Sequence, residues 1–248
     1  MSLPDPAPRV SVVVPVMNEV ENVGPLMAEI HAALETLPGP YEAVFVDDCS
    51  ADGTPEALVR VRETFPALRI IRHGINCGQS AAIRTGVSAA RAPVIVTLDG
   101  DRQNDPADIP ALLARLRRGG APADLKMVAG QRLKRRDSSV KKAASSIANA
   151  VRSRLLNDGA VDTGCGLKAF YKDSFLRLPY FDHMHRYIPA LMRREGFVVE
   201  FVNVNHRPRT HGCSKYGVLD RLWVSLSDVF GVMWLNRRCR RPGEPVEW

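Results

Sequence analysis

Long apolar runs are missing from this sequence. None reaches the roughly 18 residues that a membrane-crossing helix needs, so no span is expected. The N-terminus, Met1–Pro8, carries three prolines and no apolar core, which argues against a signal peptide. Cysteine is sparse: Cys49, Cys77, Cys165, Cys213 and Cys239 are odd in number and contain no C-x-x-C pair. Zinc ribbons and thioredoxin-like centres are therefore not expected, and free thiols in a reducing cytosol are. His73, His183, His185, His206 and His211 show no metal-ligand spacing, and structural or hydrogen-bonding roles are expected of them. Aromatics make up only 6% of the chain, and none interleaves the basic run Arg132–Arg136. Without a reader motif, that run does not read as a nucleic-acid surface. No G-x-G-x-x-G and no G-K-[ST] follows the first apolar segment, which excludes dinucleotide dehydrogenases and P-loop nucleotidases. Internal repeats and low-complexity linkers are also absent.

What is present suffices for one sizeable core: 248 residues, 45% hydrophobic and 25% charged. The net charge of +7 conceals a division. Residues 1–125 carry 11 basic and 16 acidic side chains, and residues 126–248 carry 23 and 11. Two stretches hold the excess: Lys126–Arg154 at +8 and Arg207–Arg241 at +6. An acidic first half with cationic segments behind it points to an anionic ligand met in the second half.

Periodicity supplies the organisation. Val10–Val16 is a continuous β-branched run, as in a strand buried on both faces. Glu21–Leu37 repeats apolar residues at helical spacing. Strands follow at Tyr41–Val46, Leu68–Arg72 and Pro93–Leu98, separated by helices at Pro55–Phe65 and Gln79–Ala90. Such alternation with short connections predicts an α/β fold, Rossmann-like, with a mostly parallel central sheet and helices on both faces. Ala107–Arg118 reads as a helix and Lys126–Ala129 as a strand. Beyond them come a long helix at Ser138–Leu156, a turn and strand at Gly164–Tyr171, a helix at His185–Glu195, a strand at Phe197–Asn203 and a last amphipathic helix at Val218–Leu235.

Ligands of open parallel sheets sit beyond the carboxyl ends of the strands. The first four strands exit into Pro15–Glu19, Asp47–Thr54, Asn76–Gln79 and Asp99–Gln103, each carrying carboxylates or amides. One such exit is a helix cap; four at one edge predict a site. Asp99 and Asp101, separated by Gly100, point to one side of an extended segment, with Gln103 next on that side. Hard oxygen donors of this kind suit Mg²⁺ or Mn²⁺ shared with substrate phosphates. Gly100 is expected to permit a tight turn between them.

These residues carry a resemblance. Val14–Glu19 (V-P-V-M-N-E), Asp47–Thr54 (D-D-C-S-A-D-G-T), Asn76–Gly86 and Asp99–Pro106 (D-G-D-R-Q-N-D-P) resemble, in order and spacing, the inverting family 2 glycosyltransferases of the glycosyltransferase A fold. Gly130–Arg132, Arg136-Asp137, Asp162–Phe170 (D-T-G-C-G-L-K-A-F), His185–Leu191 and His206–Gly217 narrow the resemblance to dolichyl- and undecaprenyl-phosphate sugar transferases such as the dolichol-phosphate mannose synthases. The likeness runs from about Val10 to Leu235. It implies transfer of a hexosyl group from a GDP- or UDP-linked sugar to a polyprenyl phosphate, with Mg²⁺ or Mn²⁺ as cofactor. The implied metal and catalytic residues are Asp99, Asp101 and Gln103, joined by Arg209 and Lys215 at the donor diphosphate. Pro15, Asn18, Glu19, Asp47, Asp48, Asn76 and Gly78 are expected to line the nucleotide-sugar pocket. Arg132, Lys141, Ser145, Asp162 and Ser214 are expected around the acceptor phosphate.

The chain is divided at 209/210, into a catalytic domain and a closing segment that bears the R-x-x-G-x-S-K-Y motif and the amphipathic helix. That helix places Leu219, Leu222, Leu226, Val229, Phe230 and Met233 on one stripe, adds Trp223 and Trp234, and runs into Arg237, Arg238, Arg240 and Arg241. The pattern suits a helix lying on an anionic bilayer. A cytoplasmic, peripherally attached enzyme is expected, with a separate anchoring subunit as an alternative. Two competing readings are a transferase with a soluble glycan or protein acceptor and a non-catalytic nucleotide-sugar-binding scaffold.

Overall fold

The computed structural model describes residues 7–132, 155–156, 159, 162, 164–208 and 218–240, with side chains at 218–226 excepted. The expected helix at Ser138–Leu156, nearly all of it, and the 209/210 division with its R-x-x-G-x-S-K-Y motif lie outside the described residues.

Seven strands form one sheet in the order β3-β2-β1-β4-β6-β5-β7. They are β1 (Val10–Val16), β2 (Tyr41–Asp47), β3 (Leu68–Arg72), β4 (Val94–Thr97), β5 (Leu125–Arg132), β6 (Lys168–Tyr171) and β7 (Val198–Val204). The helices are α1 (Val23–Glu35), α2 (Thr54–Thr64), α3 (Gln79–Ala89), α4 (Ile109–Leu116), α5 (Lys172–Leu176), α6 (Ile188–Arg194) and α7 (Val218–Arg237). β1 pairs in parallel with β2 and β4, and β2 with β3. This half is the expected doubly covered sheet. Val12 and Val14 of β1 pack with Leu26, Met27 and Ile30 of α1 on one face. Val13 packs with Ile83 and Val87 of α3 on the other, as strand alternation requires.

The other half departs from a purely parallel sheet. β6 runs antiparallel to both β4 and β5, while β5 and β7 are parallel. β5 is also longer than its apolar run, because β7 pairs with it out to Arg132↔Val204. The expected helix at His185–Glu195 is broken into a 3₁₀ turn at Met184–Arg186 and α6. Pro189 falls in the first turn of α6, where its missing N–H costs no hydrogen bond. α7 buries Val229 and Val232 against the second core and leaves Phe230 and Trp234 largely exposed. No helix among the described residues is long and apolar enough to cross a membrane.

Candidate active site at the carboxyl edge of the sheet

Parallel pairing of β1, β2 and β4 brings their exits to one edge, and hydrogen bonds tie the loops together. Asn18, at φ 55°, donates its backbone N–H to Ser50 Oγ (2.8 Å) and accepts from Ala51 N through Oδ1 (2.8 Å). Glu19 N donates to Thr54 Oγ1 (2.8 Å). Asp47 Oδ1 accepts from Ser50 N (3.0 Å), and its buried side chain pairs with Arg72 at 3.2 Å. Asp48 is 4% exposed and reaches across to the β3–α3 loop. Its Oδ1 accepts from Cys77 N (2.9 Å) and bonds His73 Nδ1 (2.7 Å), and its Oδ2 accepts from Gly78 N (2.8 Å). Asn76 Nδ2 lies 3.3 Å from Asp48 O. Pro15, Asn18, Glu19, Asp47, Asp48, Asn76 and Gly78 are thus gathered on one rim.

The exit of β4 is built differently. Asp99 and Asp101 repel one another in a poorly hydrated place. Burial first, and the Asp101 charge second, push the Asp99 carboxyl up to about 6 from its usual 3.8. Lys168, Gln79 and Arg132 pull in the opposite direction. Gln79, the first residue of α3, donates Nε2–H to Asp99 Oδ1 at 2.7 Å. Asp99 N donates to Asn104 Oδ1 (3.1 Å), and Gln103 N to Asp101 Oδ1 (3.2 Å). The expected turn is there, at Gly100 and Asp101, but Gly100 does not supply a positive φ to it. Positive φ falls on Arg102 (60°), whose guanidinium bonds Glu29 at 2.6 Å. Gly100 is needed for closeness instead: a Cβ there would lie 2.9 Å from Pro15 O.

The residues fit a hard divalent cation. Asp99, Asp101 and Gln103 offer an all-oxygen set, and the Asp99 carboxyl, raised by burial and then by the Asp101 charge, is one that a cation would hold ionised. Gly166 completes the cradle, since a Cβ there would sit 2.4 Å from the Asp99 carboxylate. Its carbonyl accepts from Thr97 Oγ1 at 2.9 Å.

Beside this pair stands a guanidinium. Arg132, at the end of β5, grips Asp162 with Nε and Nη2, the latter at 2.7 Å from Oδ1. Burial draws the Arg132 pKa down, but the hydrogen bonds and charge of Asp162 raise it overall. The fork fixes the plane of a cation close enough to Asp99 to influence its protonation. Lys141, Ser145, Arg209, Ser214 and Lys215 lie outside the described residues. The path to Arg209 is set as far as Pro208: Arg207 N donates to Gln103 O (2.9 Å), and its guanidinium bridges Glu29 and Asp105.

Lys168 and Ser80 were not singled out in sequence, Gln79 was named only within a strand exit, and His185 was expected to have a structural or hydrogen-bonding role. Lys168 is 5% exposed, donates to Cys165 O, and has its pKa lowered by burial despite Cys165, Asp99 and Asp162 nearby. Its signal was a lysine opening an otherwise apolar strand. His185 bonds Ser80 Oγ through Nδ1 (2.8 Å), and burial, aided by Arg186 and Lys168, drives its pKa down to about 3. Gln79 and Ser80 looked like ordinary first-turn residues, and nothing local marks their partners. A cavity of about 210 Å³ lined by Val10, Leu34, Tyr41 and Leu113 lies at the opposite, amino edge and takes no part.

Residues 11–178 match the profile of glycosyl transferase family 2. This chain belongs to that family. It is 36% identical over 244 residues to the dodecaprenyl-phosphate galacturonate synthase of Rhizobium johnstonii, covering 95% of this chain and 69% of that one. It is 34% identical over 221 residues to an undecaprenyl-phosphate 4-deoxy-4-formamido-L-arabinose transferase of Salmonella paratyphi A, covering 86% and 64%. The chain therefore spans about two thirds of the length of these curated relatives. Glucosyl-3-phosphoglycerate synthase from Mycobacterium tuberculosis, solved with Mn²⁺, UDP and glucosyl-3-phosphoglycerate, superposes with a TM-score of 0.67 at 18% identity, over 96% of this chain and 82% of that one. At that identity the likeness establishes the fold, a glycosyltransferase A fold. The transferase thus has the sheet, the acidic edge and the relatives expected from its motifs.

Proposed function

We propose that this transferase moves a hexosyl group from a GDP- or UDP-linked sugar to a polyprenyl phosphate, with inversion, at the cytoplasmic face of a membrane. The observation that carries the reading is the Asp99–Asp101 pair in a family 2 chain, where burial first and the Asp101 charge second raise Asp99 to about 6. Asp99, Asp101 and Gln103 would hold Mg²⁺ or Mn²⁺, which supplies charge neutralisation for the leaving diphosphate. Pro15, Asn18, Glu19, Asp47, Asp48, Asn76 and Gly78 would bind the nucleotide and its sugar. The names of the two curated relatives support a polyprenyl phosphate as acceptor.

The acceptor phosphate is already anionic, so it is its own nucleophile and needs no general base. His185 suits that economy: with a pKa of about 3 it is neutral near pH 7 and engaged by Ser80. What the acceptor needs is a fixed cation. Arg132 has five N–H donors and commits two of them to Asp162 in the fork described above, which leaves others for phosphate oxygens. Lys141, Ser145 and Ser214 would add to that cradle, and Arg209 and Lys215 would face the donor diphosphate. The segment from residue 210 would close over the site, and α7 would rest on an anionic membrane through exposed Phe230 and Trp234 and the arginines after them. A membrane-anchoring subunit is the alternative means of attachment.

The test is an assay of purified protein with Mn²⁺, undecaprenyl phosphate and a panel of radiolabelled GDP- and UDP-sugars. A labelled lipid that disappears with Asp101→Ala is expected. No labelled lipid with any donor overturns the acceptor assignment, and label in a soluble glycan instead moves the acceptor out of the membrane.

A further inference from the structure

His73 and Cys77 are four positions apart on the β3–α3 loop, and β2 delivers Asp48 against them. One ligand atom from each of the three lies within 4.8 Å of the others. The set is oxygen, imidazole nitrogen and thiol sulfur, which is chemically unlike the all-oxygen set of Asp99, Asp101 and Gln103. Sulfur and imidazole favour zinc-class cations over Mg²⁺ or Mn²⁺. We propose that Asp48, His73 and Cys77 form a second cation site, specific for zinc-class ions, whose occupation blocks the nucleotide donor. The blocking part rests on the donor pocket proposed above; the metal site does not.

The surroundings already supply what such a site requires. A carboxylate only accepts, so in the metal-free protein His73 Nδ1–H donates to Asp48 and Nε2 accepts from the Thr85 hydroxyl at 2.9 Å. On binding, Nδ1 becomes a ligand. Its proton is replaced by one on Nε2, which then donates to Thr85 Oγ1. A ligating imidazole held by an oxygen on its far nitrogen is the usual outer-shell arrangement. Asp48 is aimed by Cys77 N and Gly78 N, each of which takes one lone pair and leaves others on the same oxygens. The thiol is exposed and makes only a 3.5 Å bond to Ile75 O, so it is accessible and weakly held. Binding converts thiol to thiolate and releases one proton to solvent, while the histidine changes tautomer without net loss. Zinc bonds of about 2.0–2.3 Å set tetrahedral ligands roughly 3.3–3.7 Å apart, so the Cys77 sulfur must move in while His73 Nδ1 and Asp48 Oδ1, now 2.7 Å apart, must open by less than about 1 Å. Three protein ligands leave a fourth position for water. With zinc bound, the cation and its water occupy the space beside Asp48 where a ribose or base would approach, and Asn76 and Gly78 are fixed with the loop.

The full chain is titrated with Co²⁺, as a spectroscopic substitute for zinc, and with Zn²⁺ in the presence of excess Mg²⁺. UDP and GDP binding is then measured by calorimetry with and without zinc. A thiolate-to-cobalt charge-transfer band is expected in the wild type and not in Cys77→Ser. Zinc affinity should fall at least about tenfold in Cys77→Ser and about tenfold in Thr85→Val, which alters only the outer shell. Zinc should weaken nucleotide binding by the wild type and leave that of Cys77→Ser unchanged, while both bind nucleotide equally without zinc. Zinc binding that is indifferent to Cys77 and His73, or that excess Mg²⁺ removes, overturns the site. Cys77-dependent zinc binding without effect on nucleotide overturns the blocking role. If neither nucleotide binds the zinc-free wild type, the donor pocket reading fails by itself, and the cobalt spectrum still decides the metal site.

Discussion

Two pairs of aspartates leave the same edge of the same sheet, one after β2 and one after β4, and they have opposite surroundings. Asp47 and Asp48 are satisfied from within: Ser50 N, Arg72, His73, Cys77 N and Gly78 N all reach them. Asp99 and Asp101 face each other, and Asp99 is raised to about 6. The first pair organises three loops, and the second keeps an electrostatic deficit that a divalent cation would relieve. A run of carboxylates at a strand end is therefore not one kind of site. What separates them is how many N–H donors the neighbouring loops deliver.

The largest effect should come from removing a member of the second pair. Asp101→Ala is expected to lower turnover on the order of 10³-fold, since it deletes both a metal ligand and the charge placement that goes with it. Steady-state transfer assays give the number, and a loss under tenfold would place the metal elsewhere. Gly166→Ala comes next. Its Cβ would meet the Asp99 carboxylate at 2.4 Å, so Asp99 must shift. A displacement of about 1 Å at such a position costs about 10²-fold in rate. The variant should keep its circular dichroism spectrum; unchanged turnover would show that Asp99 tolerates movement.

Asp48→Ala should act on stability rather than on binding of Mg²⁺ or Mn²⁺ at the Asp99–Asp101 pair. It strands Cys77 N, Gly78 N and His73, and is expected to cost about 2–3 kcal/mol, or about 5–10 °C in Tm. A Tm equal to the wild type would mean that water replaces the carboxylate without loss. A pH series sharpens the comparison further. Asp99 titrates near 6 in the folded chain against 3.8 ordinarily, so the folded state holds this proton more tightly. Its contribution to stability is complete below about pH 3.8 and is lost as pH rises through about 6. Mn²⁺ must displace that proton at low pH, so its affinity should fall as pH drops through about 6, by up to about tenfold per unit. Calorimetric Mn²⁺ titrations at about pH 7 and about pH 5 check this, and equal affinities at both would reject it. The smallest effect belongs to a surface carboxylate: Glu200 is forked by Arg115 and Arg118 at 2.6 and 2.7 Å on an open face. Glu200→Gln should leave turnover unaltered and Tm nearly so.

Sequence by itself determined the segments and the edge. Val10–Val16 was legible as a buried strand because both its faces are apolar, and β3 was delimited at Leu68–Arg72 as it stands in the fold. Strand exits rich in Asp, Asn and Gln pointed to the site, since parallel sheets put ligands at that edge. Motif spacing was enough for the family, which the match at residues 11–178 bears out. The tertiary structure decided the rest. Antiparallel β6 could not be read from Lys168–Tyr171, because four residues at strand spacing carry no direction. Lys168 is buried because β6 lies between β4 and β5, which the sequence does not show. His73 and Cys77 carried no metal spacing of their own; Asp48 stands 25 residues before His73 and meets it only because β2 and β3 are paired in register. Periodicity is a local property and survives in the sequence. Which side chains share a dry, charged space depends on strand order and register, which bring together residues far apart along the chain.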